Sequence, residues 1–388
     1  MSHWDLMITH APAAGTKPGA EPAGDPRDRG GKAQPMLIAD ALTKHFAIRG
    51  GVFNRKVASV RAVDGVSFSV LKGETLGVVG ESGCGKSTLA RLLMHLIPRD
   101  AGELIFDGEG IGESGGLSLR ELRRNMQMVF QDSYSSLNPR LPVQDSIAYG
   151  PRVHGMGRPQ ARSVARDLLD KVGLNPDLFG ARYPHELSGG QKQRVNVARA
   201  LALSPRMLIL DEAVSALDKS VEAQVLNLLR QLKRHFNLTY IFISHDLNVV
   251  QYISDRVLVM YLGQIVEIGP VDAIYRRPRH PYTRALLDSR LTMDPDDRID
   301  DPPLTGDPPN PIDPPSGCRF RTRCAFAETV CAAQAPRLAA WVDRETHVAA
   351  CHMEDPASGH SRAGRSPLAA MDAALAEAST VSGTTGAP

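Results

Sequence analysis

The chain has 388 residues, with 45 basic and 43 acidic side chains for a formal net charge of +2, and it is 42% hydrophobic and 23% charged. That length holds one large domain with appendages or two modest ones. So even a charge balance argues against a whole-molecule field that would draw it to nucleic acid or anionic lipid, and no run approaches the roughly 20 apolar residues that a spanning helix needs.

Met1 to Gln34 mixes Pro, Gly, Ala and charges without the apolar core of a secretion signal, so residues 1–34 read as a disordered leader. From Met36 the texture changes to short β-like runs separated by turn signals. Leu76 to Val79 is an apolar run ahead of a glycine cluster, and Ser87 to Leu96 then alternates at helical spacing. The order strand, glycine-rich loop, helix opens an α/β domain. Gln127 to Phe130, Met207 to Leu210 and Thr239 to Ile243 read as buried strands, and Ser220 to His235 carries apolar residues on one helical face. Between Asp132 and Arg206 the pattern is helical and broken by prolines, as expected of a helical subdomain (132–206) inserted in the α/β core. Gly263 to Gly269 suggests a further strand and turn. Proline-rich Asp301 to Pro315 reads as a linker, followed by a cysteine-containing module and an Ala/Gly/Ser tail, 357–388, expected to be mobile.

Gly80, Glu81, Ser82, Gly83, Cys84, Gly85, Lys86 and Ser87, with Thr88 behind them, fit the pattern G-x-x-x-x-G-K-[ST] between a strand and a helix. The glycines let successive backbone N–H groups turn inward around a phosphate chain at the positive end of the following helix. Lys86 is suited to neutralise the outer phosphates and the Ser87 hydroxyl to bind Mg²⁺. Cys84 occupies a position the pattern leaves open and is taken as a backbone contributor. Downstream, Met207 to Leu210 ends in Asp211 and Glu212. A buried strand that delivers carboxylates to its C-terminal edge suits Asp211 for Mg²⁺ and Glu212 for general-base work on an attacking water. Two solvated acids at a strand end are the plain alternative, and the phosphate loop upstream tips the balance against it.

Leu187-Ser188-Gly189-Gly190-Gln191-Lys192-Gln193-Arg194 resembles the signature sequence of ABC ATPases and stands in the expected order, between the loop and Asp211. Physically it offers Ser188 and two glycine N–H groups at a helix start, a second anion site. The resemblance implies that Ser188, Gly189, Gly190 and Gln191 complete the ATP site of an opposite subunit. It further implies that Gln131 senses Mg²⁺ and couples to the membrane domain, and that Ser215, Ala216, Leu217 and Asp218 form a loop across a dimer interface. It makes His245 the switch histidine that contacts the γ-phosphate. Phe46 is the candidate for the aromatic that stacks on adenine, with Phe53 behind it. The implied fold is a P-loop NTPase cassette over residues 35–280, with a RecA-like core, an antiparallel β subdomain and the helical subdomain, followed by a small extension.

Several stretches resemble the peptide-importer branch and its F-type ATPase: Ile48-Arg49-Gly50-Gly51, Ala62-Val63-Asp64-Gly65-Val66-Ser67-Phe68, Gln131 to Arg140, and His280-Pro281-Tyr282-Thr283. This resemblance implies an ATPase that energises import of dipeptides or oligopeptides, lying peripherally on the cytoplasmic face of the inner membrane. The implied partners are two permease subunits, a second, different ATPase and, indirectly, an extracytoplasmic binding protein, with no nucleic acid. Permease helices are expected near Gln131 and Tyr134. Relatives of this branch also carry nickel chelates or glutathione, which stay open as alternative solutes. A soluble ABC protein of DNA repair or translation would show long coiled-coil insertions or two cassettes, and neither is present. An exporter subunit would lack the peptide-branch tail, and a dead cassette serving as a metal scaffold would not keep Glu212 and His245.

Four of the five cysteines crowd into the extension, expected to span 281–356, as Cys318-x5-Cys324-x6-Cys331-x19-Cys351. The spacing lacks the close pairs typical of structural zinc. Four thiolates on a folded loop suit a [4Fe–4S] cluster, which some ATPases this chain resembles carry there. Zinc is one alternative, with His347 and His352 as substitute ligands, and free or redox-inert cysteines that hold no metal are the other.

Overall fold

The computed structural model describes residues 27–28, 30–31, 34–50, 55–112, 116–132, 136–290, 306–338 and 347–364. Most of the expected leader, Phe53, Tyr134, the first part of the expected linker and residues 365–388 lie outside the described residues. The strands are β1 (Pro35–Gly50), β2 (Arg55–Leu71), β3 (Thr75–Val79), β4 (Ala101–Phe106), β5 (Glu109–Gly110), β6 (Met126–Val129), β7 (Met207–Asp211), β8 (Thr239–Ile243), β9 (Arg256–Tyr261), β10 (Gln264–Pro270) and β11 (Val348–Ala349). The helices are α1 (Lys86–Leu93), α2 (Leu119–Asn125), α3 (Val143–Val153), α4 (Arg158–Lys171), α5 (Pro176–Phe179), α6 (Gly189–Leu201), α7 (Lys219–Phe236), α8 (Leu247–Ile253), α9 (Val271–Arg276), α10 (Pro281–Asp288) and α11 (Thr329–Ala333). The chain divides into two compact units, and β1, β2 and β3 each pass from one into the other. The first contains the described residues up to Thr43, Gly65–Leu76 and Ser87–Ser244. The second contains Lys44–Asp64, Gly77–Lys86 and the described residues from His245 on.

In the first unit β2, β1, β4 and β5 form one sheet in that order, with Leu37 of β1 opposite Phe106 of antiparallel β4. A second sheet runs β3-β8-β7-β6. Its last three strands are parallel, Met207 standing beside Thr239 on one side and Met126 on the other. All five residues of β7 and of β8 are buried, which is why they read as continuous apolar runs without alternation. Helix α7 begins where Asp218 Oδ1 accepts from the Val221 N–H at 3.0 Å and ends at Asn237 in the left-handed region (φ 50°). It buries Val225, Leu229 and Leu232 and carries Lys233, Arg234 and His235 in its last turn, favourable at the negative end of the helix dipole.

Among the described residues from 136 to 206 there is no strand, only α3 to α6 and a short 3-10 turn at Pro184–Glu186, as the proline-broken helical pattern anticipates. The Arg162 guanidinium forks onto Asp145 at 3.0 and 3.1 Å and ties α4 to α3. The end of the expected leader is packed rather than free. Arg27 donates to the Ser204 carbonyl at 2.7 Å, and the Asp28 carboxylate pairs with the Lys72 ammonium, charges that composition alone assigns to solvent.

In the second unit the order is β11-β10-β9-β3, with β9, β10 and β11 antiparallel and Ile268 opposite Val348. The C-terminal extension thus adds a strand of two residues to the sheet, too short for any period to reveal. Glu267 lies fully buried on β10, where it accepts from the N–H groups of Arg279 (2.7 Å) and His280 (2.9 Å) and from His347 Nε2 (2.6 Å). Those three donors make an ionisable group tolerable inside an apolar strand. Within the expected tail, the described residues 357–364 are packed rather than mobile. His360 is buried with Nε2 on the Phe326 carbonyl at 2.9 Å, and the Ser361 N–H reaches Glu328 at 3.0 Å.

Candidate functional site

Strand β3 leads into the phosphate loop, whose geometry only glycine permits at Gly85. Its φ is +109°, and a Cβ there would stand 2.1 Å from the Ala62 carbonyl oxygen. Lys86 is buried, and its ammonium donates to the carbonyls of Gly80 at 2.7 Å and Glu81 at 3.0 Å, across the mouth of the loop. Ser82 and Gly83 are exposed at the turn, while Thr88 is half-buried on α1. Burial pushes the Cys84 thiol up from its ordinary value, so it stays neutral at pH 7, in keeping with a backbone role. The Glu81 N–H donates to the Tyr282 hydroxyl at 2.9 Å. Tyr282, legible in the sequence only as part of a branch motif, is thus a direct neighbour of the phosphate loop.

In the first unit four side chains from three segments converge. Asp211 is buried at the end of β7, and its Oδ1 accepts from Ser87 Oγ at the start of α1 at 3.1 Å. Glu212 follows with φ 48°, a conformation non-glycine residues seldom adopt, held by its N–H to the Ile243 carbonyl at 2.9 Å. That reversal turns the Glu212 carboxylate toward Gln131, whose Nε2 donates to Glu212 Oε2 at 2.6 Å. The Ser215 hydroxyl closes the turn on the Glu212 carbonyl at 3.0 Å. A hydroxyl and a carboxylate 3.1 Å apart form a hard oxygen donor pair of the kind Mg²⁺ takes alongside phosphate oxygens, so these residues fit that ion.

The remaining motif residues serve their own elements. Ser188 caps α6 in a reciprocal box: the Gln191 N–H donates to Ser188 Oγ at 3.4 Å and the Ser188 N–H to Gln191 Oε1 at 3.0 Å. Gly189 and Gly190 form the first turn, Gly190 lying where a Cβ would meet Val221 at 2.4 Å. Ala216 and Leu217 lead into the Asp218 cap of α7, and the Val221 N–H holds the Asp218 carboxyl below the ordinary carboxylate value. His245 is exposed immediately before Asp246, which caps α8. Phe46 is 41% exposed on β1, with the Lys44 ammonium 5.7 Å from its ring centre.

Cys318, Cys324, Cys331 and Cys351 are free thiols that line one small cavity of about 20 Å³ with Phe320 and Phe326. Burial pushes Cys318 up to about 11, Cys324 up to about 12 and Cys351 well above its ordinary value. Even so, no group of three or more His, Cys, Asp or Glu among the described residues is arranged to hold a metal ion. His347 does not serve as the substitute ligand suggested by the sequence, because it pairs with Glu267 beside β10. His352 does line the cavity, with Nε2 on the Gln334 carbonyl at 2.9 Å. So does His360, which carries no sequence signal because it lies beyond the module's expected end at 356.

No helix among the described residues is long and apolar enough to cross a membrane. Residues 63–215 match the family described as ABC transporter, and residues 266–331 match the oligopeptide/dipeptide transporter C-terminal region. The chain is 49% identical over 324 residues to a probable peptide ABC transporter ATP-binding protein, y4tS, of Sinorhizobium fredii, covering 83% of this chain and 91% of that protein. It is 48% identical over 327 residues to the oligopeptide transport ATP-binding protein AppF of Bacillus subtilis, covering 82% and 98%. Among solved structures, a dimeric post-hydrolysis state of the ATP-binding cassette MJ0796 bound to ADP and Pi superposes with a TM-score of 0.52 at 25% identity, covering 61% of this chain and 99% of that one.

Proposed function

Because this chain belongs to the ABC transporter family, among the ATP-binding proteins of oligopeptide and dipeptide import, we propose that its ATPase chemistry runs through Ser87, Asp211, Gln131 and Glu212. It is the ATP-hydrolysing subunit of a peptide importer. The observation that carries the residue assignment is the Ser87–Asp211 contact at 3.1 Å with Gln131 on Glu212 beside it, hydroxyl, carboxylates and amide gathered at the C-terminal edge of a parallel sheet.

The backbone from Gly80 to Ser87 cradles the ATP phosphates, with Thr88 behind it, and Lys86 shifts from its loop carbonyls to the β- and γ-phosphates. Ser87 and Asp211 would hold Mg²⁺, which would supply charge neutralisation at the phosphates. Glu212 accepts the proton of the attacking water, and Gln131 keeps that carboxylate aimed. Ser188, Gly189, Gly190 and Gln191 present helix-start N–H groups to the nucleotide of a partner ATPase, across an interface that includes Ser215 to Asp218. His245 contacts the γ-phosphate and Phe46 stacks on adenine. ATP binds the closed dimer better than the open one, so it shifts the population of the coupled permeases.

The subunit works peripherally with membrane permeases. The finer assembly places two permeases and a second, different ATPase on the cytoplasmic face, fed by an extracytoplasmic binding protein. A tagged pull-down from detergent-solubilised native membranes tests this: two permeases and a different ATPase should co-purify. Recovery of soluble repair or ribosomal proteins alone would overturn it. The four thiols lining one cavity suit a [4Fe–4S] cluster as the finer reading of this module, although no three of them stand arranged to hold a metal ion. Anaerobic purification should yield a brown protein with stoichiometric iron. A colourless protein with stoichiometric zinc removes the cluster.

A further inference from the structure

The loop between Cys318 and Cys324 carries two arginines that leave the module and reach the segments framing the phosphate loop. The Arg323 side chain is 5% exposed, and its two terminal nitrogens fork onto the Glu81 carboxylate at 2.8 and 3.0 Å. Arg319 pairs with Asp64 and donates to the Leu262 carbonyl. The next residue, Gly263, donates its N–H to the Cys84 carbonyl at 2.8 Å and accepts the Asp64 N–H at 2.9 Å. Between the two arginines Phe320 packs against Tyr261 and Tyr282, ring centres 5.4 Å away in each case, which fixes where the loop sits.

Glu81 is consequently held at every polar group. Its N–H is on Tyr282, its carboxylate on Arg323, and its carbonyl accepts from Lys86. A carboxylate in a loop built for phosphate has an electrostatic cost: unneutralised, it repels the triphosphate and competes for Lys86. A forked arginine removes that charge and fixes the carboxylate's direction together.

We propose that Arg323, assisted by Tyr282, is a positioning residue for ATP binding, clamping Glu81 so that the cysteine module of the peptide-transporter extension sets the shape and charge of the phosphate loop. This rests on reading Gly80–Ser87 as the ATP site, and it assigns the extension a role in this chain's own nucleotide affinity.

The test is ATP affinity of the purified full-length chain, measured with a fluorescent ATP analogue, alongside the melting temperature without nucleotide. R323Q should raise Kd about tenfold, as loss of one charge-assisted pair implies, with little change in melting temperature. E81Q added to R323Q removes the repulsion and should recover most of the affinity, a rescue that a purely structural arginine would not produce. Unchanged Kd in R323Q, or a lowered melting temperature with unchanged Kd, overturns the proposal. Should R323Q not fold, R323K keeps the charge and loses the fork. Its Kd should rise about threefold, and a Kd equal to the parent's overturns the clamp. K86A separates the two readings: if it loses ATP while R323Q does not, only the clamp falls, and if it binds normally the site assignment falls with it.

Discussion

Gln131 Nε2 stands 2.6 Å from Glu212 Oε2, joining the second residue after β6 to the first residue after β7. The two strands are parallel neighbours, with Val129 beside Leu210, so their C-terminal ends open at the same sheet edge and a donor on one reaches an acceptor on the other. Glu212 meets it because its positive φ reverses the chain just past the buried Asp211.

If Glu212 is the base, E212Q should bind ATP within about twofold of the parent yet hydrolyse it at least about 100-fold more slowly, the usual loss for a general base. Phosphate release under saturating ATP measures it, and near-normal turnover removes Glu212 from that role.

Gly85 and Gly83 separate backbone strain from collision. Both have positive φ, but a Cβ at Gly83 meets nothing within 4 Å, whereas at Gly85 it meets the Ala62 carbonyl at 2.1 Å. G83A should cost about 1 kcal/mol. G85A should cost roughly 2–4 kcal/mol and lose ATP binding. Thermal melts with nucleotide titrations compare them, and equal melting temperatures would refute the collision.

Asp218 caps α7 and is also the acid of the proposed interface loop. D218A should lower the melting temperature through loss of the cap, while D218N, which caps as well, should leave it near the parent's. ATPase activity of the assembled transporter then isolates the second role: D218N with parent stability and reduced hydrolysis supports it, and parent values of both deny it.

The Asp145–Arg162 fork predicts a pH dependence. Arg162 holds the Asp145 carboxyl below its ordinary value of 3.8, so the folded state favours the charged form. Its stabilisation is complete above 3.8 and fades as the pH falls through the lowered value. D145N should cost about 0.5–1 kcal/mol at neutral pH, a figure discounted for the exposure of Arg162. The gap to the parent in denaturant melts should close in acid. A gap that stays constant down to the acid limit would exclude the ion pair as its source.

What the sequence determined by itself is whatever depends on neighbours along the chain. The fully buried β7 and β8 show as unbroken apolar runs, α7 as a periodic stripe behind an Asp cap, and the phosphate loop as glycines and Lys86 at fixed spacing, because each of these follows from local backbone geometry and burial. The same locality let Asp211 and Glu212 be picked out together, though not the left-handed turn that parts their directions. Tertiary structure alone decided contacts between residues far apart in the chain. Composition gave Asp28 and Arg27 to a solvated leader, but the Lys72 ammonium holds Asp28 and the Ser204 carbonyl holds Arg27. Sequence offers His347 only as a substitute ligand should the cysteines hold zinc, but a carboxylate buried on β10 claims it. Arg323 carries no local pattern at all: its partner Glu81 lies on another element, and the packing of Phe320 against Tyr261 and Tyr282 helps bring the two charges within reach.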